Sequence, residues 1–311
     1  MEHAPRILCI GALHWDLEIQ CITDVVPGES NPVHSRTVPG GVAFNVATTL
    51  AGLDCTAGLV SRVGSDPEGS ALIDHLDSSN VNVINVGIES EIQTATYTAI
   101  LTPDGELLIG LADMDIYDQL DDRYWSERTA VLAGWNAWCI DTNLPESGIR
   151  YLCTQKDRPR LYALATSPAK IMRLRTVMET LDTLILNIAE ASALTDTIQI
   201  DLDGAQEAAR LLCESGVYRT VVTAGHAGAA WADPGGTGVI PGVAQSGRTE
   251  SVSGAGDALT GVVIAALEQG QSTEIALQFG VQAGALALES RDTRTGLSWG
   301  LIQEHLDSTN G

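Results

Sequence analysis

The chain has 311 residues, 44% of them hydrophobic and only 5% aromatic, with a formal net charge of −23 and just two lysines, Lys156 and Lys170. That length holds one large α/β domain or two smaller ones, and a core of Ala, Val, Leu and Ile suits parallel strands covered by helices. With no basic patch to offset it, the acidic surface argues against nucleic acid and anionic membranes as partners. Cysteines fall at 9, 21, 55, 139, 153 and 213 without CxxC spacing. Several sit in strand-like runs, which suits buried thiols in a reducing compartment better than disulfides or zinc. Met1-Glu2-His3 leads straight into a strand without space for a signal peptide, and no run reaches the ~20 apolar residues of a membrane helix. The expected setting is cytoplasmic.

In chain order, Arg6 to Gly11 reads as a buried strand, Trp15 to Ile22 as an alternating one, and Asn31 to Pro39 as a polar, exposed one. Gly40-Gly41 opens a helix through Leu53. Ala57 to Val63 is a short strand, and Asp66-Pro67-Glu68 starts a helix to about Leu76. Residues 94–101 have strand character, Pro103-Asp104-Gly105 is a hairpin turn, and Glu106 to Leu111 returns. Strand, loop and helix then alternate, with strands at Trp138 to Asp141, Arg160 to Ala165, Thr183 to Asn187 and Thr220 to Ala224. Helices are expected at Ala205 to Ser215, Ala258 to Leu267 and Ser272 to Glu289. This rhythm predicts a mostly parallel central sheet with helices on both faces. Segments at about 15–39 and 94–111 break the rhythm and read as a small β lid inserted in a single domain spanning 1–311.

Five stretches carry chemistry. In Ser251-Val252-Ser253-Gly254-Ala255-Gly256-Asp257, small residues open onto a helix whose positive end favours an anion. Asp257, in the first turn beside a bound phosphate, could take a proton from an attacking hydroxyl; the plainer alternative is Ser253 as a helix cap. Asp16 lies just beyond the first strand's carboxyl end, where α/β sheets bind ligands, and can accept hydrogen bonds from adjacent sugar hydroxyls. Gly40-Gly41 allows close approach of a ligand, with Asn45 one turn on as donor and acceptor. Asn187 and Glu190 share a helix face and could hold a hydrated Mg²⁺, or form only a capping box. Thr223, Gly225 and Gly228 form a strand-to-turn segment where backbone groups could meet a nucleotide. The chain lacks a GxxxxGK[ST] loop and any GxGxxG after a strand, so other nucleotide-binding folds fit poorly.

Taken in order, Gly40-Gly41-x-Ala43-x-Asn45, Val63-Gly64-x-Asp66 and Gly254-Ala255-Gly256-Asp257 with Gly261 resemble the two signatures of the ribokinase-like (PfkB) family of carbohydrate and nucleoside kinases. The resemblance runs from the first strand to about Gly296. Within the family, Leu111 to Asp118, including Asp113 and Met114, and the tail Leu288-Glu289-Ser290 with Thr293 are similar to pseudouridine kinases. It implies a ribokinase-like fold and an ATP- and Mg²⁺-dependent kinase acting on the 5′-hydroxyl of a ribonucleoside, pseudouridine first. Ribose, a ketose or adenosine stand as alternative acceptors, and a nucleoside-binding sensor as a non-enzymatic one. By the same resemblance Asp257 is the base, and Gly254, Ala255 and Gly256 form the anion hole. Asp16, Gly40, Gly41, Asn45, Asp113 and Met114 bind the acceptor. Asn187, Thr223, Gly225, Gly228 and Gly256 line the ATP site, and Asn187 and Glu190 organise Mg²⁺ through water. Phe44 departs from an arginine expected beside the sugar. Ser251 departs from an aspartate near a monovalent-cation loop, leaving that ion an optional third cofactor. An exposed lid edge suggests a homodimer through the lid.

Overall fold

The structure is a computed structural model that describes residues 4–77, 79–243, 254–289 and 296–310. β1 (Arg6–Ile10) shows why the chain folds as it does: Ile7 and Cys9 pack on one side of it, Leu8 and Ile10 on the other, and all four are fully buried. A strand buried on both faces needs helices on both. β2 (His14–Cys21) and β3 (Val33–Gly40) follow, then α1 (Val42–Ala51), β4 (Thr56–Gly64), α2 (Pro67–Asp77) and β5 (Asn82–Glu89). β6 (Thr96–Leu101) and β7 (Leu107–Asp113) form a hairpin around the predicted turn, where Gly105 takes a φ of +92°. After α3 (Asp122–Glu127) come β8 (Ala137–Asp141), α4 (Glu146–Cys153), β9 (Arg160–Leu164), α5 (Pro168–Ile171), β10 (Thr183–Asn187), α6 (Ile188–Thr195) and α7 (Leu202–Glu214). β11 (Thr220–Thr223), β12 (Gly228–Asp233), β13 (Gly236–Pro241), α8 (Ala255–Glu268), α9 (Thr273–Glu289) and α10 (Trp299–Asn310) complete the described chain.

Nine strands form one sheet in the order β13-β12-β11-β10-β9-β8-β1-β4-β5. The run from β11 to β5 is parallel, while β12 and β13 add an antiparallel edge. α1, α8 and α9 cover one face, and α4, α6 and α7 the other. The helix-on-both-faces expectation is met. β5, the β12–β13 hairpin and α10 had no counterpart in the sequence reading. β12 is rich in Gly and Ala and lacks the β-branched pattern that marks a strand, whereas β13 does carry Thr237, Val239 and Ile240.

The remaining strands form a second sheet in the order β3-β2-β6-β7. β2 pairs antiparallel with β3 and parallel with β6, placing Asp16 opposite Val38 and Tyr97. Because side chains alternate, Asp16, Glu18 and Tyr97 share one face of this sheet. β2 leaves β1 through a three-residue turn, so the small sheet hangs from the carboxyl edge of the large one.

Candidate active site

The site begins where β1 and β8 end side by side. Asp141, the last residue of β8, is 1% exposed and accepts hydrogen bonds from the backbone N–H groups of Ala12 (2.8 Å) and Ala43 (3.2 Å) through Oδ2, and of Asn143 (2.8 Å) through Oδ1. It ties the turn after β1, the start of α1 and the turn after β8 into one unit. Burial pushes its pKa up, and these backbone donors pull it back. Asp141 was missed in the sequence, although a carboxylate closing a predicted parallel strand is a usable signal. Tyr117, fully buried, takes a 2.9 Å bond from the Leu13 N–H and returns a 2.7 Å bond to the Leu13 carbonyl. His14 bridges this phenol, 3.3 Å from Nδ1, to Asp16, 3.1 Å from Nε2.

Asp16 is 6% exposed and lies against Gly40, where a Cβ would run into its carboxylate. Gly41 caps α1 with a φ of +105°, and a Cβ there would strike the Ala12 carbonyl. Like Pro145 of α4, the glycines that open α1 and α8 offer no side-chain cap, unlike the first residues of α3, α5, α6 and α7, and in α1 the Ala43 N–H is already taken by Asp141. Gly254 caps α8 in the left-handed region, at φ +89°, with Ala255, Gly256 and Asp257 in the first turn. Uncapped N–H groups at a helix start are anion receptors. Gly261 lets α8 lie against Thr49 of α1, and this close approach brings Asn45 Nδ2 within 2.7 Å of Asp257 Oδ2. Two residues 212 positions apart thus meet between the starts of α1 and α8. Ser251 and Ser253 lie outside the described residues, as do Ser290 and Thr293.

Asn187 and Glu190 form a reciprocal capping box at the start of α6: Asn187 N donates to Glu190 Oε2 (2.8 Å) and Glu190 N to Asn187 Oδ1 (3.0 Å). Burial, with a contribution from the Asp257 charge, raises the Glu190 pKa to about 7. The two carboxylates therefore feel each other across the cleft. Among the described residues no group of three or more His, Cys, Asp or Glu side chains could hold a metal. A hydrated Mg²⁺ keeps several waters and needs few protein ligands, so Glu190 and Asp257 are the two carboxylates here that could reach its waters. Thr223 stands beside Asn187 in the β10–β11 register, and Gly225 is exposed with φ +59°. Gly228 is buried at the start of β12, where a Cβ would hit the Ile240 carbonyl, so its glycine serves the hairpin.

The candidate acceptor residues Asp113, the last of β7, and Met114, which follows it, separate. Met114 packs inward, its sulfur 3.3 Å from Lys170 Nζ, which also donates to Asn143 Oδ1 at 2.6 Å. Asp113 is exposed and pairs with Thr96, on the face of the small sheet opposite Asp16 and Tyr97. Phe44 is 4% exposed and meets His75 edge-on at 6.0 Å between ring centres. Phe44 thus packs in the core and supplies no cation to the site.

A parallel sheet covered on both faces, with a four-stranded sheet at its carboxyl edge, defines a ribokinase-like α/β fold. The chain belongs to the pfkB family of carbohydrate kinases, whose model matches residues 4–299. Members of this family are phosphotransferases with a hydroxyl acceptor. The chain is 25% identical over 298 residues to the pseudouridine kinase of Escherichia coli K12, covering 94% of this chain and 93% of that one. It is 27% identical over 313 residues to a guanosine-inosine kinase of Exiguobacterium acetylicum, covering 97% and 99%. A carbohydrate kinase from Agrobacterium tumefaciens superposes with a TM-score of 0.81 at 29% identity, over 97% of each chain.

Proposed function

We propose that this protein transfers the γ-phosphate of ATP to the 5′-hydroxyl of a ribonucleoside, pseudouridine first among them. The observation that carries this reading is the Asn45–Asp257 contact at the uncapped start of α8, with Asp16 buried nearby at the root of the small sheet. Asp16 accepts hydrogen bonds from adjacent ribose hydroxyls, and Gly40 and Gly41, whose missing side chains leave space for the Asp16 carboxylate and the Ala12 carbonyl, let that carboxylate sit against the start of α1. Asn45 orients Asp257, which takes the proton of the 5′-hydroxyl as its oxygen attacks the γ-phosphorus and the bond to the β-bridging oxygen breaks. The N–H groups of Ala255 and Gly256 face the charge on the transferring group; such donors contribute about 3–4 kcal/mol each. Asn187, Thr223 and Gly225 line the nucleotide side. Mg²⁺, when bound, neutralises phosphate charge, and Glu190 with Asn187 holds its waters. The loose transition state places the demand on positioning rather than on a strong base. The small sheet serves as a lid that excludes water, and its apolar edge supports pairing of two copies.

A purine ribonucleoside is the second reading, favoured by the guanosine-inosine kinase, which matches over a larger share of both chains. The test is ADP release, coupled to a spectrophotometric readout, over pseudouridine, uridine, inosine, guanosine, adenosine and ribose. The highest kcat/KM is expected for pseudouridine. Turnover of free sugars alone would overturn the nucleoside reading, and ADP release without a phosphorylated acceptor would overturn the kinase assignment of the site.

A further inference from the structure

Glu18 stands two residues beyond Asp16 on the same face of β2, about 6.6 Å farther from the β1 end. Its side chain is 11% exposed and pairs with Arg36, across the sheet on β3. The pairing is lopsided. Arg36 Nε and Nη2 both donate to Oε2, each at 2.5 Å, and Oε1 is buried with no hydrogen-bond partner. An arginine–carboxylate pair more often engages both oxygens, and a buried charged acceptor left unsatisfied is costly. Tyr97, opposite Asp16 on β6, is half-buried on this same face, and burial with the Asp16 charge raises its phenol pKa. Its ring lies over Gly110 of β7, where a Cβ would collide with the hydroxyl. The face thus carries a polar row, from Asp16 outward to Glu18, roofed on one side by Tyr97.

We propose that the second carboxylate oxygen of Glu18 accepts a hydrogen bond from a ring N–H of the acceptor's heterocyclic base, making Glu18 a specificity residue for nucleosides over free sugars. This rests on the nucleoside reading above and deepens it. With the reacting hydroxyl at Asp257 and the vicinal hydroxyls at Asp16, the substituent at C1′ extends along β2 toward its outer end. One strand repeat is about the distance from the ribose hydroxyls to the edge of a base. A lactam or imide N–H is the donor such a base offers. Pseudouridine carries two, because its base is joined through carbon; inosine and guanosine carry one at N1; ribose has no base at all.

The test compares kcat/KM for pseudouridine, 1-methylpseudouridine, 3-methylpseudouridine and ribose in the unaltered protein and in Glu18→Gln. The Gln amide oxygen can still take the Arg36 bonds, but its NH₂ then replaces the orphan acceptor with a donor. The pseudouridine-to-ribose selectivity ratio is expected to fall about tenfold or more, mainly through KM, as for loss of a hydrogen bond to a charged group. In the unaltered protein, methylation at one ring nitrogen is expected to impose a similar loss, and this arm needs no variant to fold. An unchanged ratio, with less than about a twofold effect of methylation at either nitrogen, would overturn the role of Glu18 while leaving the nucleoside reading intact. If the unaltered protein phosphorylates ribose and no nucleoside, both readings fail.

Discussion

β8 and β7 are similar strings, Ala-Trp-Cys-Ile-Asp and Leu-Leu-Ile-Gly-Leu-Ala-Asp, yet every residue of β8 is buried and every residue of β7 is exposed. Each ends in an aspartate. Asp141 binds three backbone N–H groups from three segments, whereas Asp113 lies open at the rim. Apolar character alone does not say where a strand goes; the number of covered faces does. The large sheet has helices on both sides and completes itself. The small sheet presents one face to the cleft and leaves Leu107, Ile109 and Leu111 at about half exposure, from 48% to 56%. On the pairing proposed above, this is the edge that would meet a second copy.

Four measurements would break or sharpen that contrast. The largest effect belongs to the large sheet's cleft: Asp257→Asn is expected to lower kcat about 10³-fold while shifting KM little, and a variant with parental turnover removes Asp257 as the base. Next, Asp141→Ala strips three N–H groups of their acceptor and is expected to cost about 3–5 kcal/mol in urea unfolding. A cost below about 1 kcal/mol would mean that the tie at the β1–β8 end carries no weight.

Glu190 gives a pH-dependent test. Its carboxyl pKa rises from 4.5 to about 7 in the folded state, so the native protein retains a proton that the unfolded chain has released. The stability this adds is fully present below pH 4.5 and is lost as pH rises through about 7. Glu190→Gln preserves the capping box but cannot titrate. Relative to that variant, the metal-free parent is expected to lose about 3 kcal/mol between these limits; parallel pH profiles would refute it. The smallest effect is in the small sheet. Ile109→Lys is expected to leave unfolding free energy within about 0.5 kcal/mol, while sedimentation shows a parental dimer becoming a monomer. A monomeric parent would remove the pairing reading.

Much of the parallel sheet was legible because a strand buried on both sides must be a continuous apolar run, as Ile7 to Ile10 and Leu184 to Leu186 are. The glycines at residues 11 and 40–41 were legible for a similar reason: a turn against which a carboxylate or a carbonyl closes tolerates no side chain. The rest depends on distance in sequence. Nothing near Asp141 reveals that the donors it serves come from residues 12 and 43. The orphan oxygen of Glu18 depends on which way Arg36 reaches across a strand pair. That Phe44 meets His75 could not be read either, because helix position alone does not tell which neighbour a side chain meets. β12 was hidden by its own composition, Gly and Ala standing where Val and Ile usually advertise a strand, while Val239 and Ile240 of β13 were a signal left unread.

The phenol of Tyr117 grips Leu13 by both its N–H and its carbonyl. The same phenol meets His14, and through it Asp16, so the root of β2 is fastened as a pivot is fastened to a frame. On the lid role proposed above, the outer part of the small sheet, with Glu18, would swing about that root while Asp16 keeps its place, and the amplitude would be governed by a buried residue outside the proposed substrate contacts.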